Sequence, residues 1–336
     1  MVTHAVALTQ ALLHADSGSD LVLFSSRERV PGLIGQAEAV LSPHRHEIAN
    51  KLLWFPAVEG CSALDAILYP YWPPPPRRLR EAPPAAFFVH DLAFRLRPDE
   101  VPWQQRVYLG TVLPPALRSA AAVFVPSRAT EADLLACYPL PGLTGRVHTI
   151  AEGPTPLPPA GPLPDGLAPG FVLAVGTLEP RKNYARLVAA HAAIAGAPPL
   201  VFAGRPGWNG DRAPSGPAVR VLGHVDDATL AGLYEHASVL AFPSLYEGFG
   251  IPLLDAMRGG VPALVGDRGA LPELAAEAAL AVDAESTEAI EAGLRRLLTD
   301  AALRKRLSVA GRRRAKSFSW AAAAALVLEH LSEIVE

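Results

Sequence analysis

The chain has 336 residues, half of them hydrophobic, with 19 % charged residues and a formal net charge of −3. That length gives a prior of two domains, each with enough apolar residues for its own core. The balance excludes a disordered chain, which combines low hydrophobicity with high charge, and a generic nucleic-acid binder, which carries a basic excess. Two cysteines, Cys61 and Cys137, speak against a disulfide framework and for a reducing cytoplasm. No apolar run approaches the roughly 18 residues that span a bilayer.

The opening MVTHAVALTQALLHA lacks a basic stretch ahead of its apolar part, so it does not read as a signal peptide. In the first half, Leu21–Phe24, Phe87–Val89, Val123–Val125 and Val147–Ile150 read as strands, and 103–119 and 127–137 as helices. Pro73 to Pro76 read as a loop. Residues 154–169 hold seven prolines in sixteen. Such a stretch is stiff and extended, and it reads as the link between domains 1–153 and 170–317. Beyond it, Phe171–Val175, Leu200–Ala203, Val219–Leu222, Val239–Phe242 and Val261–Val265 are continuously apolar and bounded by Gly or Pro, the pattern of buried parallel strands. Ile290, Leu294, Leu297 and Leu298 share one helical face in 286–298. The alternation predicts an α/β chain with two Rossmann-like, doubly wound parallel sheets facing a cleft, ligands lying outside the strands' carboxyl ends. Residues 318–336 form a last helix after the basic run Arg312–Lys316, which reads as a solvated face.

Three stretches of the second half carry chemistry. Pro243–Pro262, PSLYEGFGIPLLDAMRGGVP, leaves a strand and opens a helix. Gly248 and Gly250 admit close backbone approach, and the N–H groups from Ile251 onward make an anion and hydroxyl site. Glu247 and Asp255 can both face the cleft there; alone, they equally read as acidic charge favoured at a helix start. In Val175–Asn183, VGTLEPRKN, a turn at Gly176 and Thr177 precedes Arg181 and Lys182 at the positive end of a helix. Paired cations there call for a bound anion such as a diphosphate, unless they are simply exposed. Only four of the 30 basic residues are lysine, which tilts Lys182 toward function. Arg205, in FAGRPGW (202–208), is a further phosphate candidate. In the first half, FFVHDL places His90 and Asp91 directly after a strand, where a lone histidine is often structural.

Together, VGTLEPRKN, AGRPGW, LGHVDDATLAGLYEHASVLAFPSLYEGFGIPLLDAMRGGVP and ALPEL resemble the family 4 retaining glycosyltransferases of GT-B fold, most nearly the mannosyltransferase-like members. The resemblance is specific over 171–283, looser over 87–153, and slight over 1–80. It implies a nucleotide diphosphate sugar as donor, with GDP-mannose the leading candidate, and a glycan or lipid-linked acceptor. Glu247 and Asp255 match the family's paired acids, which contact the donor sugar and the ribose; Asp255 is one methylene shorter than the usual glutamate. Gly248, Phe249 and Gly250 match the loop around sugar and phosphate, and Lys182 the lysine on the diphosphate. Many members carry an arginine where this chain has Thr177, which leaves Arg181 or Arg205 to share that role. His90 matches a histidine beside the reacting sugar.

The implied transfer is metal-independent, because cationic side chains and helix-end N–H groups stabilise the departing diphosphate. No enzymic nucleophile is visible, and the resemblance implies that the departing phosphate takes the acceptor's proton on the same face, with retention. The implied setting is cytoplasmic, with peripheral contact at the inner membrane face left open. Family members usually begin with a strand and a glycine-rich loop, whereas Thr3–Leu13 resembles the body of the first helix. The expectation is a first domain without its opening strand, through a mis-set start or degeneration. Two further readings stay open: a sugar-nucleotide epimerase on the same fold, and a non-catalytic nucleotide-sugar or glycan-binding protein.

Overall fold

The computed structural model describes residues 2–15, 20–25, 38–41, 64–71, 73–74, 82–207, 214–216 and 218–335. Cys61, Pro75, Pro76 and Trp208 lie outside them. The chain divides into two compact units: Met1–Arg95 with Trp103–Gly153 and Ser319–Glu336, and Leu96–Pro102 with Pro154–Phe318.

The first unit holds α1 (Val2–His14), β1 (Val22–Ser25), β2 (Glu38–Leu41), β3 (Ile67–Tyr69), β4 (Ala85–Phe88), α2 (Ala93–Leu96), α3 (Trp103–Ser119), β5 (Ala122–Val125), α4 (Arg128–Cys137) and β6 (Val147–Thr149). β1 and β2 form a parallel pair, and β3-β4-β5-β6 a four-stranded parallel sheet. Every residue of β4 and β5 is buried, which is why these segments read as unbroken apolar runs. α4 starts where Ser127 accepts from the Thr130 N–H at 3.1 Å, a cap that typically contributes about 1 kcal/mol. The last helix of the chain, Trp320–Val335, belongs to this unit and packs on α1. Leu8 and Leu12 of α1 meet Phe88, Phe124 and Ile150 with Ala323, Ala324 and Val327 of that last helix. Trp320 lies where a side chain on Gly153 would be, 2.6 Å from an added Cβ.

The second unit holds β7 (Val172–Val175), α5 (Tyr184–Ala192), β8 (Leu200–Ala203), β9 (Val219–Gly223), α6 (Asp227–His236), β10 (Val239–Phe242), α7 (Ile251–Gly259), β11 (Ala263–Gly266), α8 (Leu271–Ala275), β12 (Leu280–Val282), α9 (Thr287–Thr299) and α10 (Ala301–Ala315); the Trp320–Val335 helix is thus α11. Its six strands run parallel in the order β12-β11-β10-β7-β8-β9. Chain order reverses between β7 and β10, so the crevice at their carboxyl ends is the topological switch point of a doubly wound sheet. Side chains cap three helix starts: Asp226 accepts from Thr229 N–H, Ser286 from Ala289 N–H, at the start of the stretch read as 286–298, and Asp300 from Leu303 N–H.

The proline-rich 154–169 packs within the second unit, with the Gly161 N–H donating to Ala228 O at 2.8 Å and Leu167 buried. Among the described residues, 301–335 alone is long and apolar enough by composition to cross a bilayer. It is two helices, α10 and α11, separated at 316–319, and α11 buries Ala323, Ala324 and Val327.

Candidate active site

Two loops meet at the switch point. The first leaves β7 at Gly176, whose φ of 141° suits glycine, and an added Cβ there would lie 3.1 Å from Tyr184 Oη and 3.3 Å from Lys182 Cε. The neighbouring loop after β8 runs against it backbone to backbone. A Cβ on Gly204 would come within 1.9 Å of Gly176 O, and one on Gly207 within 2.0 Å of Leu178 O. The chain then makes a tight helical turn over Pro180–Lys182 and enters α5 through Asn183, left-handed at φ 62°. The Asn183 amide donates to Pro243 O (3.0 Å) and Ala284 O (2.6 Å), tying this turn to the loops after β10 and β12.

The second loop runs from Pro243 to Gly250, which takes φ 116° before α7 begins at Ile251. Pro252 sits in the first turn, where its missing N–H costs nothing. Backbone bonds join the loops: Leu245 N–H to Arg181 O (2.8 Å), and Ala270 N–H to Glu247 O (3.0 Å).

This framework gathers four charges. Glu247 Oε1 accepts from Lys182 Nζ at 2.6 Å and Oε2 from Arg181 Nη1 at 2.9 Å. Arg181 Nε donates to Glu179 Oε2 at 2.8 Å, and Nη1 also reaches Tyr246 O at 3.1 Å. Lys182 and Glu247 are each only 6 % exposed, and Lys182 Nζ sits 4.9 Å from the Phe242 ring centroid. Burial pushes the Glu247 carboxyl up, yet Lys182 and then Arg181 outweigh it and hold its pKa at about 2. The sequence suggested that the basic pair needs a bound anion; Glu179 and Glu247 already balance it, so the quartet is neutral as folded. Glu179 lay inside the quoted motif, and only its charge signalled it.

Asp255 lies in α7 and does not join the quartet. Its Oδ1 accepts from the Thr155 N–H at 2.7 Å and its Oδ2 from Thr155 Oγ1 at 2.6 Å. Burial pushes its pKa up to about 6, against the pull of those two hydrogen bonds. Thr155 belongs to the proline-rich stretch, and nothing in the sequence marked it as this partner. Phe249 is buried with its ring edge-on to Phe318, centroids 5.8 Å apart. Gly248 is buried beside it, Thr177 is half-buried, and Arg205 is exposed.

In the first unit, His90 follows β4 and lines a pocket with Tyr71, Asp91, Phe94 and Gln105. Both its ring nitrogens face protein atoms: Nε2 lies 3.0 Å from Pro70 O and Nδ1 3.4 Å from Glu152 Oε1. Asp91 caps the next turn, accepting from the Ala93 N–H at 3.0 Å. Glu152, in the EGP before the proline-rich stretch, and His4 of α1 were not predicted site residues. Burial pushes Glu152 up, but His4 and His90 pull its carboxyl well below the ordinary range.

A family model described as glycosyl transferases group 1 matches residues 166–314. The O-antigen chain mannosyltransferase B of Escherichia coli is 31 % identical over 263 residues, 73 % of this chain and 68 % of that one. The chain belongs to the group 1 glycosyl transferases. The MMP alpha-(1->4)-mannosyltransferase of Mycolicibacterium hassiacum is 37 % identical over 105 residues, 30 % of this chain and 26 % of that one. Among solved structures, the Anabaena HepE protein in complex with UDP and glucose gives a TM-score of 0.73 at 16 % identity, covering 98 % of this chain and 95 % of that one. Sucrose-phosphate synthase from Thermosynechococcus elongatus gives 0.71 at 21 %, covering 97 % and 91 %. The fold of this glycosyltransferase is therefore GT-B, as the resemblance implied.

Proposed function

We propose that this glycosyltransferase moves a mannosyl residue, with retention, from GDP-mannose to a glycan or lipid-linked acceptor. The observation that carries the reading is the buried Lys182–Arg181–Glu247 group at the switch point, beside the first turn of α7. A leaving nucleoside diphosphate gains negative charge as the glycosidic bond breaks. Fixed cations and helix-end N–H groups stabilise that charge without reorganising, which is commonly the largest catalytic contribution. Lys182 receives the diphosphate, with Arg181 and the exposed Arg205 assisting. Gly176 and Thr177 let the backbone approach the phosphates. Glu247 positions the sugar within the Gly248–Phe249–Gly250–Ile251 loop, Asp255 takes the ribose in exchange for Thr155, and His90 serves the reacting sugar. The diphosphate needs no metal at this site. The sugar assignment is supported by the two mannosyltransferase relatives. Catalysis on the cytoplasmic side, with peripheral membrane contact, suits a lipid-linked acceptor.

The test is a panel of nucleotide sugars scored for donor hydrolysis, glycosyl transfer and thermal stabilisation. GDP-mannose is expected to give the largest kcat/KM, with the product's anomeric configuration retained by NMR. A preference for another donor refutes the mannose assignment, inversion refutes the mechanism, and no response to any nucleoside diphosphate refutes the reading as a whole.

A further inference from the structure

His4, His90 and Glu152 converge in the first unit. The side chains of His4 and Glu152 are almost wholly buried, and that of His90 is only slightly exposed. One potential ligand atom from each lies within 4.8 Å of the others. Glu152 Oε1 is 2.8 Å from His4 Nδ1 and 3.4 Å from His90 Nδ1. Packing fixes the rings: His4 is edge-on to Phe88, to Trp320 and to His90 itself, at 4.7, 5.2 and 4.3 Å between centroids.

The partners of the ring nitrogens bear on what fits among them. Pro70 O can only accept, so His90 Nε2 at 3.0 Å is an N–H, and Nδ1 is the ring nitrogen turned toward Glu152. His90 Nδ1 and Glu152 Oε1 can share a cation, either a ring proton or a metal ion. Neither nitrogen of the buried His4 has a partner in hydrogen-bond line, although Nδ1 lies close to Glu152. A metal ion meets all three groups. The His90 bond to a backbone carbonyl is the outer contact that orients metal-bound imidazoles. Zinc-to-ligand bonds of about 2.0–2.2 Å at tetrahedral angles set donor atoms roughly 3.4 Å apart, the spacing of Glu152 Oε1 and His90 Nδ1.

We propose that His4, His90 and Glu152 form a three-ligand site for a divalent transition-metal ion of the zinc class, with a fourth position open to an oxygen ligand. This departs from the metal-free expectation, which concerned the donor diphosphate. The test uses the full chain, stripped with chelator, dialysed, and titrated with Zn²⁺ by calorimetry and elemental analysis, then with Co²⁺ by visible spectroscopy. The expected result is one tightly held equivalent and an intense tetrahedral Co²⁺ absorption, both lost in Glu152→Gln and in His4→Ala. Melting profiles in chelator check that the variants fold, and Glu152→Gln decides alone if His4→Ala does not. Substoichiometric binding, or an equivalent retained by the variants, overturns the site. So does an NMR spectrum showing only ring N–H protons shared with the carboxylate and unmoved by Zn²⁺. The site shares His90 with the proposed function, but none of these readouts uses glycosyl transfer, so the two can fail separately.

Discussion

Replacing Lys182 by methionine keeps the length of the side chain and removes its charge. Glu247 then keeps Arg181 but loses the closer of its two cations, the 2.6 Å contact. The depression of its pKa to about 2 from an ordinary value near 4.5 corresponds to about 3 kcal/mol favouring the ionised, folded form. The folded value is below the unfolded one, so this stability is present above pH ~4.5 and is lost as pH falls toward 2. Lys182 is the largest favourable contributor, and breaking one side of a buried pair typically costs about 3–5 kcal/mol. Urea denaturation at pH 7 is therefore expected to show Lys182→Met destabilised by about 3 kcal/mol. Donor turnover should fall roughly 10²–10³-fold, as when one preorganised donor to a developing anion is removed. The decisive comparison is Lys182→Met/Glu247→Met. Two apolar side chains leave no orphaned carboxylate, so stability should return toward wild type while turnover stays low. A double variant no more stable than the single would refute the electrostatic argument. Full turnover in Lys182→Met would refute the catalytic one.

Thr155→Val removes the hydroxyl donor to Asp255 and should cost roughly 1–3 kcal/mol. Because the folded pKa of Asp255 is raised to about 6, the ionised group opposes folding; stability should decline as pH rises from ~4 to 6, more steeply in the variant, as urea midpoints across that window will show. Gly204→Ala places a methyl 1.9 Å from Gly176 O; it should separate the loops after β7 and β8 and abolish nucleotide binding by calorimetry, whereas Gly110→Ala, with open space around it, should be silent. Asn183→Ala loses two buried hydrogen bonds and a tolerated left-handed residue, and should lower stability by about 2–3 kcal/mol in urea titrations; Asn183→Gly relieves only the backbone part.

The parallel sheet of the second unit was legible because its central strands are buried on both faces. β7, β8 and β10 appear as unbroken apolar runs, and with β9 and β11 all five strands read there were bounded to within a residue or two. β3 and β12 were not, because three-residue edge strands such as Leu280–Val282 are only partly buried and carry no such run. The helix 103–119 was read correctly despite Pro114 and Pro115 inside it, since Val112, Leu113, Ala116 and Leu117 still line its buried face. Local motifs singled out Arg181, Lys182 and Glu247, which the fold brings together. What they could not reveal was pairing across long separations: Lys182 with Glu247 lies 65 residues apart and Thr155 with Asp255 lies 100 apart. His4 was invisible for the same reason, since its partners are reached only when α1 packs on the sheet.

The neutral quartet changes what donor binding must do. An uncompensated pair of buried cations would attract any anion and would cost the free protein stability. If Lys182 and Arg181 receive the diphosphate as proposed, it competes on arrival with a carboxylate already at hydrogen-bond distance. Ground-state affinity is thereby held down. The same cations gain most when the diphosphate acquires its full charge on leaving, because the competing carboxylate has a fixed charge and the leaving group does not. An interaction that strengthens only as the bond breaks raises kcat rather than merely lowering KM. On this reasoning the acid that disguises the anion site in the free protein is also what reserves its electrostatic energy for the transition state.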